Sequence, residues 1–332
     1  MNRRTFIKFS TAAASAAALT STARGQAAET PPKPAASPTP PGNPFQQEGE
    51  WYKAALHVHT KTSDGDVDVA TRLKQYRDLG YHVVAVTDHW KTNDLTAFSD
   101  GAFLAINSME AHPVTGTGAP RHHFVCLDLP HPFVLDSNQK AQDLVDAVRA
   151  VGGKVIYAHP QWTTHTLDEM RDVTGYIGIE VYNGHCDIGS ATGYNDIHID
   201  QAFNKIGLFA INAVDDIHHS GWINSGWTMI RAKELTKPAI MAAIEAGHFY
   251  ASTGPTITDF RVEDGTAIVT CPAAERIRFF YGKGEGGGKA FTAKPDQPLT
   301  EAKHSVKGRK WVRAEVRDAA GKFAWTGPLV VG

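Results

Sequence analysis

The chain has 332 residues, of which 42% are apolar and 20% charged, and its formal net charge at neutral pH is −2. This composition excludes a largely disordered chain and leaves room for one large domain and a smaller one. Basic residues do not gather into runs with interleaved aromatic residues, so a nucleic acid is not expected as an obligatory partner.

Residues 1–27 have the pattern of an export signal. The pair Arg3-Arg4 precedes an alanine-rich stretch, and small residues around Ala27 supply a cleavage pattern. This looks like a twin-arginine signal, which an export receptor recognises and which does not serve as a membrane anchor. The sequence therefore predicts a periplasmic or secreted protein that has no membrane anchor once the signal is removed.

Residues 28–50 contain seven prolines and few apolar residues. Such a segment predicts an extended linker, because it offers little that could be buried in a core. Folding is expected to start near Trp51.

From residue 51 to residue 254, short apolar runs alternate with helical periods. The strand-like runs are 54–59, 83–87, 103–109, 124–129, 154–158, 178–182 and 208–214, and the helix-like runs are 69–79, 137–152, 195–206 and 237–246. Ser137 is a plausible cap for the clearest helix, which Gly152 would stop. About seven repeats without a dinucleotide-type glycine fingerprint favour an α/β barrel over an open sheet.

After Gly254 the pattern changes to strands separated by Gly, Asp and Pro turns. The strand-like runs are 256–262, 267–271, 276–281, 311–316 and 323–325. They predict a small antiparallel β-sandwich domain over residues 255–332, with packing against the barrel as its expected role.

Histidine is unusually frequent, with sixteen in the chain, and several stand at the ends of predicted strands. His57 and His59 flank Val58, and the two-residue period of a strand places both imidazoles on one face. Other strand ends carry Asp64, Asp88-His89, Glu110, His122-His123, His159, Asp215-Asp216 and His218. Since barrel strands end at one rim, these side chains predict a metal site there.

Five motifs occur in order at barrel-like intervals. They are Leu56-His57-Val58-His59-Thr60 with Ser63-Asp64-Gly65, Val86-Thr87-Asp88-His89, Glu110 at its strand end, Ala158-His159-Pro160 and Asp216-Ile217-His218. Through them the chain resembles the polymerase and histidinol phosphatase (PHP) family over most of residues 51–254. The resemblance implies a distorted (β/α)7 barrel that holds up to three metal ions.

The resemblance also implies how the ligands are shared. One ion would be held by His57, His59, Glu110 and Asp216, a second by Glu110, His123 and His159, and a third by Asp64, His89 and His218. His123 is preferred over His122 on its alignment with the family's strand. Asp216 is preferred over Asp215 because only Asp216 shares a strand face with His218, and Asp88 is expected to orient an imidazole.

Mixed imidazole and carboxylate ligands suit Zn²⁺, Mn²⁺ or Fe²⁺, and ligand identity leaves the choice among them open. The expected cofactor is two or three such divalent ions. Only three cysteines are present, which argues against a closed structural zinc site.

The leading functional hypothesis is a phosphoesterase in which a hydroxide bridging two ions is the nucleophile. His165 and His185 are candidates for the acid that protonates the leaving group. Glu180, at the end of the sixth predicted strand, is expected either to contact substrate or to support a ligand.

Two alternatives stay open. Few basic residues lie near the motifs, whereas aromatic residues follow several strands, namely Trp90, Trp162, Tyr182, Trp222 and Trp227. If several line the pocket, the small ester substrate carries a flat apolar group. The resemblance extends to secreted PHP proteins with a C-terminal β-domain that include hydrolases of aryl methylcarbamates, so carbamate or aryl ester hydrolysis is the runner-up. A non-catalytic metal-binding protein is the third reading, and the oligomeric state is left open.

Overall fold

Strands dominate the folded chain, and the computed structural model describes residues 38–113, 122–282 and 287–332. The strands up to residue 254 are β1 Glu50–Ala55, β2 Val83–Val86, β3 Leu104–Asn107, β4 Met109–Ala111, β5 Phe124–Leu127, β6 Lys154–Tyr157, β7 Gly178–Asn183, β8 Ala210–Val214, β9 Trp227–Ala232 and β10 Phe249–Ser252. The α-helices are α1 Val69–Asp78, α2 Ala141–Ala150, α3 Leu167–Arg171, α4 Gly184–Ser190, α5 Asp196–Lys205 and α6 Lys237–Glu245.

Two sheets position the predicted site. The first contains the parallel neighbours β1, β2 and β3, and the second has the order β4-β5-β6-β7-β8. Isolated parallel bridges join the sheets at two places, between Val58 and Ile217 and between His89 and Glu110. The residues just beyond β1, β2 and β8 therefore meet Glu110 of β4 in one region.

The fold is mixed α/β, and a regular (β/α)7 barrel is not evident in it. Strand β5 runs antiparallel to both β4 and β6, and only the 3₁₀-helix Thr96–Phe98 lies between β2 and β3. The predicted run 103–109 is also interrupted, since Ser108 separates β3 from β4.

The four predicted helices are present, and their apolar stripes explain them. Helix α2 buries Leu144, Val145 and Val148 on one face. The expectation that Ser137 caps this helix is wrong. The helix begins at Ala141 and its N-cap is Lys140, because residues 136–139 form a turn in which Asp136 accepts from the main chain.

The strands after residue 254 are antiparallel, as the turn pattern predicts. They are β11 Asp259–Glu263, β12 Thr266–Ala274, β13 Arg276–Tyr281, β14 Gly288–Thr292, β15 Leu299–Ser305, β16 Trp311–Arg317, β17 Phe323–Thr326 and β18 Leu329–Val330. Strands β11, β12 and β15 form one sheet, and β14, β13, β16 and β17 continue through β10 and β9 into β1. One sheet therefore crosses residue 254, and the described residues belong to a single compact unit.

The described end of the proline-rich segment is packed, so the expectation of an extended linker is wrong for residues 38–50. The main-chain N–H of Gly42 donates to Ala246 O at 2.7 Å. The Phe45 ring lies 5.5 Å from Trp51 and 5.7 Å from Tyr250, and its neighbour Pro44 is buried. Residues 1–27, with the predicted signal, and residues 28–37 lie outside the described residues.

Within the ranges that the structure describes, every helix is too short or too polar to cross a lipid bilayer.

A buried arginine ties the C-terminal sheet to a helix of the preceding part. Arg313 of β16 has no solvent exposure. Its guanidinium donates to Asp200 at 2.9 Å and to Asp196 at 3.2 Å, both on α5, and lies 4.0 Å from the Phe280 ring centre. Charge and stacking together make this a strong attachment point.

We expect Arg313→Leu to lower the free energy of unfolding by about 3 kcal/mol, because it leaves two carboxylates without their cation. Urea unfolding followed by circular dichroism measures this. Arg261→Leu is the matched control, since Arg261 pairs with Asp259 and Glu263 near the surface and should cost no more than about 1 kcal/mol. Equal losses in the two variants would contradict the assignment.

Candidate metal centre

The structure brings all nine predicted ligand positions together. Their ligand atoms form three overlapping sets, each within 4.8 Å: the inner set His57, His59, Glu110 and Asp216; the side set Glu110, His123 and His159; and the outer set His59, Asp64, His89 and His218. These sets coincide with the three implied by the resemblance, with His59 as an additional member of the outer set. Glu110 belongs to two sets, as expected.

Main-chain hydrogen bonds hold the segments that carry these residues. His59 N donates to Ile217 O at 3.1 Å, and Glu110 N donates to Thr87 O at 2.9 Å. Trp90 N donates back to Glu110 O at 2.9 Å. The segments after β1, β2 and β8 are thus fixed against one another before any side chain is considered.

The inner set is buried, and its atoms face one another without hydrogen-bond geometry. Nε2 of His57 lies 3.2 Å from Glu110 Oε2 and 3.2 Å from Asp216 Oδ1. Nε2 of His59 lies 3.3 Å and 3.0 Å from the same two oxygens. Both nitrogens and Asp216 Oδ1 are buried polar atoms without a hydrogen-bond partner.

The hydrogen bond on the far side of His57 explains this arrangement. Nδ1 of His57 donates to Glu180 Oε1 at 2.8 Å, which leaves the lone pair of Nε2 directed at Glu110 and Asp216. A lone pair and two carboxylates repel one another unless a cation lies between them. The residues therefore fit a divalent metal ion of the kind that binds imidazole and carboxylate together.

The pKa shifts of the inner set also indicate that it needs positive charge. Burial alone would lower the pKa of His57, but Asp216, Glu110 and Glu180 outweigh it and raise that pKa well above its usual value. For His59 burial is likewise outweighed, and the pKa rises to about 9. Burial opposes ionisation of Glu110 and Asp216, yet the imidazoles hold both pKa values well below the ordinary range. The set needs positive charge, which protons or metal ions can supply.

Glu180 is a support of this set and does not reach the open side of the site. It has no solvent exposure. Its Oε2 accepts from His159 N and from Asn183 Nδ2, each at 3.0 Å. Asn183 Nδ2 also lies 3.1 Å from Asp216 Oδ2. Of the two roles that the sequence left open for Glu180, the geometry favours orientation of His57 over contact with substrate.

Replacing Glu180 by Ala should weaken metal binding by about 10- to 100-fold, because His57 would lose the partner that fixes its tautomer and orientation. Titration of metal-depleted protein by calorimetry measures the affinity. Glu245→Ala is the control, since Glu245 pairs with Lys154 at the surface. Unchanged affinity in a folded Glu180→Ala protein would contradict this role.

The side set and the outer set differ in exposure. Glu110 Oε1 lies 2.7 Å from His123 Nδ1 and 3.2 Å from His159 Nε2, all well shielded. Asp64 Oδ2 lies 3.3 Å from His89 Nε2 and 3.4 Å from His218 Nε2. Half of the Asp64 side chain is exposed (50%), so the outer set is the face that solvent and substrate can reach.

One member of each neighbouring pair faces the cluster, and the other is directed elsewhere. His123 faces Glu110, whereas Nδ1 of His122 lies 2.7 Å from the Tyr157 hydroxyl. Asp216 faces the inner set, whereas Asp215 accepts from Asn224 N and Gly226 N at 2.8 Å each.

Asp88 organises a loop, and among the described residues it reaches an imidazole only through Ser63, whose Oγ lies 3.4 Å from His59 Nδ1. Its Oδ1 accepts from Thr60 N at 2.8 Å and from Ser63 Oγ at 2.7 Å. Its Oδ2 accepts from Thr60 Oγ1 at 2.7 Å and from Asn93 Nδ2 at 2.8 Å. This carboxylate therefore shapes the loop that leads to Asp64.

The two histidines proposed as leaving-group acids lie in different surroundings. His165 is buried, its Nδ1 is 2.6 Å from Thr163 Oγ1, and its ring stacks on His122 at 4.4 Å. Burial lowers its pKa to about 3, and it is not brought to the cluster. His185 lies at the edge of the outer set, with its ring centre 4.3 Å from that of His218.

The sequence reasoning missed His112, whose ring centre is 5.1 Å from that of His89 and 5.0 Å from that of His123. Trp90 Nε1 donates to His112 Nε2 at 2.9 Å. The two-residue period of a strand could have identified His112, because residue 112 shares a strand face with Glu110.

Three of the five aromatic residues singled out in the sequence lie at the site. Trp90 contacts His112, and Trp222 lies 5.4 Å from His185 between ring centres. Trp162 is 45% exposed, with its ring centre 5.5 Å from that of His123 and 5.3 Å from that of His159. The other two pack elsewhere, Tyr182 against Trp325 and Trp227 beneath Lys53.

Comparison with known proteins gives structural likeness only. No protein-family model matches the chain, and no curated protein matches it. A two-domain protein from Bacteroides vulgatus containing predicted PHP-like metal-dependent phosphoesterase is similar in structure, with 17% identity, a TM-score of 0.48 and coverage of 89% of this chain and 100% of that one.

Two further solved structures are similar over a smaller part of the chain. An amidohydrolase from Chromobacterium violaceum with bound sulfate has 16% identity, a TM-score of 0.40 and coverage of 51% of this chain and 88% of that one. A lesion-specific endonuclease from Pyrococcus furiosus has 11% identity, a TM-score of 0.40 and coverage of 59% and 56%. At such low scores the likeness decides neither family nor chemistry, which depend on the side chains of the site.

Proposed function

We propose that the protein is a metal-dependent hydrolase, and that its substrate is a phosphoester. The observation that carries the proposal is the overlap of the three sets through Glu110 and His59, with one face open at Asp64. Two or three divalent ions of manganese, zinc or iron bound there would activate water and neutralise charge on the oxygens of an ester.

The chain's own residues would orient the ligands, shield the inner set from water and protonate the leaving group. Glu180 and Asn183 hold His57 and Asp216 in place, and burial of the inner set keeps bulk water away from it. His185 borders the outer set and is the remaining candidate for protonating the leaving group. The partner is then a small ester that enters on the Asp64 side.

The parts of the proposal that concern cellular location and domain organisation rest on the sequence. We propose that residues 1–27 direct export to the periplasm or the medium, that residues 51–254 form the PHP-like hydrolase unit with a distorted barrel, and that residues 255–332 serve as a packing domain. No obligatory nucleic acid and no membrane anchor are proposed for the mature protein.

The test uses metal-depleted protein reloaded separately with Mn²⁺, Zn²⁺ and Fe²⁺. We expect metal-dependent turnover of p-nitrophenyl phosphate or bis(p-nitrophenyl) phosphate, and a loss of at least about 100-fold in kcat/KM for Asp216→Asn, because one ligand of the inner set is weakened. His304→Ala, in the C-terminal sheet, is the control. Metal binding without turnover of any ester would instead support the non-catalytic reading.

The second candidate is hydrolysis of a carbamate or aryl ester, and the exposure of Trp162 beside the side set favours it. A flat apolar group could stack on this indole while the scissile bond lies at the metal centre. Comparing an aryl phosphate with an aryl N-methylcarbamate of the same aryl group, in one loaded preparation, separates the two candidates.

For whichever aryl ester is turned over, Trp162→Ala should raise KM about 10-fold with little change in kcat, since a stacking contact of about 1.4 kcal/mol is removed from bound substrate and transition state alike. Trp162→Phe should restore most of the affinity. Steady-state kinetics with aryl and alkyl esters provide the check, and an equal effect on both would show that Trp162 does not contact the aryl group.

A further inference from the structure

The loop that carries Asp64 is attached to the molecule by a buried arginine. Arg72 of α1 has no solvent exposure. Its Nε donates to the main-chain oxygen of His59 at 3.1 Å, and its Nη2 pairs with the carboxylate of Asp66. Its Nη1 donates to Gln75 Oε1 at 2.8 Å. All three nitrogens of the guanidinium therefore have partners.

Asp66 continues this connection to the segment after β8. Its Oδ2 accepts from Ser220 N at 2.7 Å, and its own N–H donates to His218 O at 2.9 Å. Arg72 Nη1 also lies 3.3 Å from Ser220 Oγ. The pair Arg72–Asp66 thus joins α1, the loop 60–66 and the segment 218–220.

The joined segments supply His59, Asp64 and His218, which are three of the four members of the outer set. The carboxylate of the outer set, Asp64, is half exposed, and it lies on a loop outside any strand. The inner set has a different support, because Glu180 and Asn183 hold it from β7. The two parts of the centre therefore have different supports, and they share His59.

We infer that Arg72, acting through Asp66, is a positioning residue that sets the affinity of the outer set for its cation, an inference that rests on the proposed metal centre. Arg72 contacts the main chain of His59 and neither the imidazole nor the carboxylate groups of the outer set. Its planar fork reaches His59 O and Asp66 at once, which a lysine ammonium cannot do. Changing it should loosen the outer set more than the inner set, because Asp64 and His218 depend on this connection whereas the inner set shares only His59 with it.

The test is a titration of metal-depleted Arg72→Lys with Mn²⁺ or Zn²⁺, followed by calorimetry and elemental analysis. We expect the weakest-bound metal equivalent to lose about 10- to 100-fold in affinity, as found when supports of ligands are removed, while the tighter equivalents lose clearly less. Arg77→Lys is the matched control, because Arg77 lies on the same helix and pairs with Asp100 at the surface. Glu180→Ala should show the converse pattern.

If Arg72→Lys does not fold, the neutral pair Arg72→Gln with Asp66→Asn replaces it, since it leaves no buried unpaired charge. Weakening of all equivalents alike, or of none, in a folded variant would overturn the inference while the proposed function stands. Failure of the wild-type protein to bind any metal would overturn both, and it is visible before a variant is made. Wild-type protein that binds metal only at the inner and side sets would overturn the inference alone.

Discussion

The buried carboxylate of Glu110 is the group on which the site depends. It is almost fully buried and lies within 3.3 Å of nitrogens from His57, His59 and His123. A buried ionised carboxylate needs hydrogen-bond donors or positive charge around it, and the groups that face Glu110 are imidazole nitrogens. Glu110 also forms, with His89, one of the two bridges that join the sheets, so the charge balance of the site is linked to the packing of the sheets.

Several backbone positions at the site are unfavourable by themselves. His159, Asp216 and Trp90 adopt left-handed φ values of 24°, 52° and 58°, a conformation that costs side-chain-bearing residues about 1–3 kcal/mol each. Surrounding hydrogen bonds hold two of them, because His159 N donates to Glu180 and Trp90 N donates to Glu110. Two of these three positions, His159 and Asp216, carry candidate metal ligands.

The supports of the centre form three networks. Glu180 and Asn183 hold the inner set, Asp88 shapes the loop after β1, and Arg72 with Asp66 joins that loop to the segment after β8. The inner part is buried, whereas the outer part faces solvent through Asp64. In the proposed function, the buried part would hold ions and the exposed face would receive the ester.

The sequence by itself determined which residue types stand at the strand ends, because strand ends are local properties. The preference for His123 over His122 came from the resemblance to the PHP family, and Asp216 lies beyond β8 with a left-handed φ of 52°, outside the strand period from which its preference over Asp215 was argued. The sequence also determined most helices and strands, whose apolar periods are local. Only the tertiary structure decided the antiparallel course of β5, the sheet that crosses residue 254, and the roles of Glu180, Asp88 and Arg72. Those features depend on contacts between residues far apart in the chain. A local sequence pattern does not show which partner a buried charge will contact.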